Sequence, residues 1–221
     1  MNEIKIDKII RSRRRTISLS VSADATLVVR APHWVSLGYI KSLIFKKRFW
    51  IDKKRQQILR RGPVLAKEFT EGEEFFYLGE KYKLRIRDCE EIKLIDELYF
   101  PAKYLGDGRM KMIHWYKRKA REIVARRVEW YSESSGWKFK SLSITGALRR
   151  WGSCSSKDSL NFSFRIAMVP PEVIDYIVVH ELAHIPEKNH SASFWNKVGM
   201  VLPDYKIRRK WLRENERSLK I

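Results

Sequence analysis

Residues 170–190 read PPEVIDYIVVHELAHIPEKNH. Pro170 and Pro171 suit a helix start and Pro186 a helix stop, so the stretch between them reads as one helix. Its apolar residues nearly encircle it, which marks a helix buried on most sides, and polar side chains placed there need partners. On such a helix His180 and His184, four residues apart, project from one face and can share a metal ion. Glu181 lies beside them, where a carboxylate can face a metal-activated water without ligating the ion, as a general base must. His190 follows beyond Pro186, where a turn can return the chain to the site as third ligand; Glu187 is a second candidate for that place. Three protein ligands leave a fourth tetrahedral position open, which is the pattern of a catalytic rather than a structural site. Zinc, one per chain, is the natural ion for imidazole donors, and other divalent metals remain compatible with them.

Working outward, Ser159 to Ile166 alternates Leu160, Phe162, Phe164 and Ile166 with polar neighbours and reads as a strand, as does Ser141 to Thr145. Between them lies RRWGSCSS. There Arg150 can serve as an anion or oxyanion contact, with Gly152 and Ser153 allowing close backbone approach; the other reading is a packed Trp151 in a tight turn. A helix is expected from about Arg109 to Ser135, on the spacing of Ile113, Tyr116, Ala120, Ile123 and Val124. A last helical segment should begin near Ser191, with Phe194, Trp195 and Val198 packing it, followed after Leu202-Pro203 by a basic tail. Upstream, Tyr82, Leu84 and Ile86 alternate with basic residues, and IKLI and LYF can pair around Asp96-Glu97. Ile17, Leu19 and Val21 alternate with serines before an Ala23-Asp24 turn into TLVVR. From Ser36, a plausible N-cap, Leu37, Ile40, Ile44, Ile51 and Ile58 predict one long helix ending at Gly62-Pro63.

Several of these stretches together resemble the YgjP-like metallopeptidase domain, related to the SprT-like and WLM zinc metalloproteases. The resemblance rests on RWGSCSS at 150–156, PPEVIDYIVVHELAH at 170–184, NHSASFW at 189–195 and LPDYKIRRKWLREN at 202–215, with SRRRTISLSV, RAP and YLGEKYKL earlier. It implies zinc ligation by His180, His184 and His190 and a catalytic role for Glu181. IPEK before Asn189 and ALR before Arg150 depart from the family pattern, and neither removes a proposed ligand.

The chain has 221 residues, 44% of them hydrophobic, enough for one large domain or two small ones. No stretch is apolar for the roughly 18 residues of a membrane span, and MNEIKIDKII lacks a signal-peptide core, so a soluble cytoplasmic protein is expected. Cys89 and Cys154 lack the pairing of a disulfide framework or of a cysteine-based zinc site, and Cys154 reads as a small buried residue. His33 and His114 are isolated and carry no assigned role. The formal charge of +20 is unevenly spread: residues 1–61 hold 16 Lys/Arg against 4 Asp/Glu. Such a segment attracts polyanions, and Lys46, Lys47, Arg48, Lys53, Lys54 and Arg55 are the residues expected to face phosphates.

The combined expectation is an α+β fold. A zincin-like metallohydrolase part with an HExxH active-site helix occupies 104–221, preceded over 1–103 by a β-rich accessory part with a long basic helix. The leading function is a zinc metallopeptidase. A metal-dependent nucleotide phosphoanhydride hydrolase, of the nucleoside triphosphate pyrophosphatase type, uses the same donors. A nucleic-acid-binding protein with a structural zinc is the third reading, and Glu181 argues against it, since a structural site has no need of a base. Expected partners are a polypeptide or nucleotide substrate and, through the basic N-terminal part, nucleic acid; no membrane is expected.

Overall fold

The computed structural model describes residues 6–22, 24–61 and 66–221. The chain separates into two compact units, Met1–Leu65 and Ala66–Ile221. Ala23 and the expected Gly62-Pro63 stop lie outside the described residues.

In the first unit β1 (Lys8–Ser12), β2 (Ser18–Val21) and β3 (Leu27–Pro32) form a sheet in the order β1-β3-β2, with β1 parallel and β2 antiparallel to β3. Asp24 holds the β2–β3 turn by accepting from the Ser22 hydroxyl at 2.6 Å. Ser36 caps α1 (Leu37–Lys46) as the sequence predicts, accepting from the Tyr39 amide at 3.2 Å. The expected single helix is two: it breaks at Lys47 and resumes as α2 (Arg48–Arg61). One helix over 37–61 would be roughly 37 Å long, about twice the reach of the strands. The break lets Ile40 and Ile44 of α1 and Ile51 of α2 share one core with Leu27, Val29 and Ala31.

The second unit begins with β4 (Glu74–Tyr77), β5 (Glu80–Arg87), β6 (Lys93–Leu94) and β7 (Leu98–Pro101), in the order β4-β5-β7-β6. The pairing of β6 with β7 around Asp96-Glu97 is the one the sequence predicts. Leu78 and Gly79 close the β4–β5 hairpin with positive φ at both, the two-residue turn that matches strand twist. Gly79 is confined from outside as well, since a Cβ there would stand 2.7 Å from Pro170 Cγ. Its amide and that of Leu78 donate to Met168 and Ala167, so the hairpin tip fixes the entrance to the helix that follows.

α3 (Gly108–Ser135) ends at Gly136 in the left-handed conformation, and β8 (Ser141–Thr145), β9 (Gly152–Cys154) and β10 (Ser159–Ser163) follow. β10 lies between β8, to which it is parallel, and β9, to which it is antiparallel. The strand expected to reach Ile166 stops at Ser163, and Phe164–Met168 is a 3-10 turn. All five of its residues are buried, Arg165 included, so the alternation of Phe164 and Ile166 does not mark two faces. α4 (Pro171–Ala183), α5 (Ala192–Val201) and α6 (Tyr205–Asn215) complete the unit, the last built from the expected basic tail. Asp175 of α4 binds Arg127 of α3 at 2.8 Å and lies 3.7 Å from Arg208 of α6.

The division expected at 103/104 runs through a core instead of between cores. Phe69, Phe75, Leu84, Leu98 and Phe100 pack in one cluster with Met112 and Tyr116 of α3, and the Tyr116 hydroxyl donates to Phe76 O at 2.5 Å. The compact units part at 65/66. No helix among the described residues is long and apolar enough to cross a membrane.

Candidate active site

α4 forms where Pro171 supplies a fixed φ at the helix start, and apolar side chains on nearly every face bury it between α3, α5 and α6. Its last turn carries His180 and Glu181, and His184 is the capping residue, still in the right-handed region. The chain then turns back, with the Glu187 amide donating to Ala183 O at 3.2 Å. His184 Nδ1 lies 3.1 Å from Glu187 O, so a protonated Nδ1 donates there and leaves Nε2 as the bare donor atom. Ser191 caps α5 by accepting from the Phe194 amide at 3.3 Å, and this fixes where His190 stands.

One ligand nitrogen from each of His180, His184 and His190 lies within 4.8 Å of the others. His180 Nε2 and His190 Nε2 are 3.0 Å apart. Nitrogens sharing a tetrahedral zinc at about 2.1 Å sit roughly 3.4 Å from one another, so this donor set fits such an ion. Among the described residues no other group of three His, Cys, Asp or Glu meets the same criterion. Glu187, the alternative third donor, is not in the group; its carboxylate accepts from Asn189 Nδ2 at 2.9 Å. Cys154 is not in it either, and lies near Lys188 Nζ.

Aromatic rings hold the imidazoles in place. The Phe194 ring centroid is 5.0, 4.5 and 4.8 Å from those of His180, His184 and His190. Trp195 stacks on His190, Tyr205 stacks on Trp195, and the Arg209 guanidinium lies 4.5 Å over the Trp195 ring. Burial, then the neighbouring His184 and His190, push the His180 pKa down to about 3, and burial lowers that of His190. His180 therefore stays neutral at ordinary pH, the state in which imidazole binds a cation. His180 Nδ1 is buried with no hydrogen-bond partner among the described residues.

Glu181 is 6% exposed. Burial raises its carboxyl pKa to about 8, and the positive charge of Arg150 pulls it partly back. Its side chain lies across the backbone of Gly152, where a Cβ would stand 2.6 Å from Glu181 Cγ and 2.7 Å from Oε1. The close backbone approach expected of Gly152 is thus to this carboxylate. Arg150 itself is exposed. Trp151 is more than packing in a turn. It lines a cavity of about 230 Å3 together with Gly152, Tyr176, Ile177, His180, Glu181 and Leu212. The buried Arg165 guanidinium backs the Trp151 ring at 4.2 Å. A larger cavity, about 490 Å3, lies at the start of α3 and contains none of the three histidines.

Sequence reasoning missed Tyr176, Ile177 and Leu212. Tyr176 and Ile177 stand one turn before His180 and Glu181, a spacing that could have found them. Leu212 arrives from a distant helix without a local signal. Burial raises the Tyr176 phenol to about 12.

The model of the YgjP-like metallopeptidase domain matches residues 15–215. This chain belongs to that family. It is accordingly a metal-dependent hydrolase of the metallopeptidase class. Among solved structures it is similar to the metallopeptidase zymogen abylysin of Pyrococcus abyssi, at 22% identity over 41% of this chain and 93% of that one, with a TM-score of 0.38. Comparison with curated proteins gave no match.

Proposed function

We propose that this YgjP-like protein is a zinc metallopeptidase with a zincin-like catalytic part. His180, His184 and His190 hold one zinc ion and Glu181 is the general base. The observation that carries the reading is the convergence of three imidazole nitrogens, two from the end of α4 and one from the loop before α5, beside a buried carboxylate of α4. The ion, when bound, supplies Lewis acidity that acidifies water and polarises a carbonyl. Glu181 takes a proton at its carboxylate and delivers it to the leaving nitrogen. Exposed Arg150 places positive charge toward that carboxylate and toward a developing oxyanion.

The cavity favours a polypeptide over a nucleotide. Trp151, Tyr176, Ile177 and Leu212 give it an apolar wall suited to a side chain, whereas a triphosphate calls for several cations. β9 is also an edge strand, so an extended peptide can pair with its open side next to Glu181. The open fourth position argues against a purely structural ion.

Metal analysis should find one zinc per chain, lost when His180 and His184 are both replaced by alanine. Glu181→Gln should keep the metal and lower peptide hydrolysis about 10²- to 10⁴-fold. Undiminished hydrolysis by that variant excludes Glu181 as the base, and full occupancy of the double variant excludes the ligands. Nucleoside triphosphates assayed alongside unfolded polypeptide decide the substrate class.

A further inference from the structure

The zinc chemistry leaves the surface of the first unit unexplained. Its core is complete with Ile40, Ile44 and Ile51 turned inward. Large rings nevertheless stand outside it: Trp34 is 79% exposed, Phe49 74%, Tyr39 59% and Phe45 57%. Where α1 meets α2, the Arg48 guanidinium lies over two of these rings, 4.3 Å from the centroid of Phe45 and 4.5 Å from that of Phe49. Lys46, Lys47, Lys53 and Lys54 are exposed in the same segment of the chain, and no acid pairs with these four among the described residues. Asp52 is the one acidic residue between His33 and Arg61. Arg55, expected to face phosphate, is engaged inside the unit instead, donating to Asp7 at 2.6 Å and to Ala25 O at 3.1 Å.

We propose that the exposed face of α1 and α2 binds single-stranded nucleic acid, with bases stacking on Phe45 and Phe49 and phosphates meeting Lys46, Lys47, Lys53 and Lys54. Interleaved rings and cations are what an unpaired strand recognises, because every base offers a stacking face and every linkage a charge. A duplex uses only the cations, its bases being stacked inside. An acidic protein likewise leaves the rings without a role. An anionic membrane surface selects helices whose apolar and charged faces are separated. Here the apolar face of α1 is buried in the core, and the exposed rings share their segment of the chain with the lysines.

The test titrates labelled single-stranded DNA and RNA, the matching DNA duplex and phosphatidylserine vesicles with the 221-residue chain at low and physiological salt. Single strands should bind about tenfold more tightly than duplex. Phe45→Ala with Phe49→Ala should cost about 30-fold or more in single-strand affinity and leave duplex affinity unchanged. Replacing the four lysines by glutamine should weaken both and reduce the salt slope on single strands by about 3. All these positions are exposed, so melting temperature, metal content and peptide hydrolysis should stay at the parent values. That separates failure here from failure of the peptidase reading. No oligonucleotide binding at low salt overturns the proposal, as does a ring variant with unchanged single-strand affinity, or binding to vesicles alone.

Discussion

Glu181 and Gly152 lie 29 positions apart and meet because β9 runs beside α4. His180, His184 and Glu181 were legible as neighbours in the sequence, since helical spacing alone places them together, whereas His190 reaches them through a loop. The contact with Gly152 was not, because it depends on which strand packs on the helix. Its consequence is testable. A methyl group at 152 would stand 2.6–2.8 Å from Cγ, Cδ and Oε1 of Glu181, inside any real contact distance, so the carboxylate has to move. A displacement of about 1 Å at a catalytic group costs on the order of 10²-fold in rate. Gly152→Ala should therefore lower kcat strongly, with metal content unchanged. Because Gly152 is on an edge strand, melting should shift by only a few degrees. A variant with the parent kcat would show that the position of Glu181 does not depend on this contact.

Between His184 and His190 the chain leaves the helix, so the third proposed donor depends on a loop. Lys188 anchors that loop to the turn between β9 and β10, through an ion pair with Asp158 and a 3.3 Å hydrogen bond to Ser155 O. Both charged partners are partly exposed, and such a pair contributes no more than about 1 kcal/mol to stability. Its effect should appear in the loop and not in the fold. Lys188→Ala should release metal to a chelator severalfold faster, while the melting temperature of the metal-free protein changes by less than about 2 °C. Unchanged release would mean that Phe194 and the Ser191 cap hold His190 unaided. Elements of this scale were legible where local pattern decides them, as in the Ser36 cap, the β6–β7 pairing and the start of α4. They were misread where packing decides. The helix from Ser36 breaks at Lys47 to keep Ile51 on a short sheet, and β10 ends early because the Ser163 hydroxyl donates to Ala147 O and accepts from the Arg165 amide.

The largest misreading concerns where one folding unit ends. Residues 62–103 resemble the N-terminal segment in being strand-rich, and a periodic pattern says which face of a strand is apolar but not what that face meets. In the structure, Phe69, Phe75, Leu84, Leu98 and Phe100 belong to the same cluster as α3, α4 and β10. The β4–β5 turn also donates two backbone hydrogen bonds to the segment that leads into α4. A chain beginning at residue 104 would expose Met112 and Tyr116, which are 0% and 1% accessible in the intact protein. It would also leave the Tyr116 hydroxyl without the Phe76 carbonyl. Losing several large apolar contacts at about 2–5 kcal/mol each exceeds the whole stability of an ordinary domain. A chain of residues 66–221 keeps this core and should unfold in a single cooperative transition, bind one zinc and hydrolyse a small peptide. One of residues 104–221 should show no cooperative melt by circular dichroism and no stoichiometric metal. If the shorter chain melted cooperatively with zinc bound, the strands β4–β7 would be dispensable to the site, and 103/104 would be the functional boundary after all.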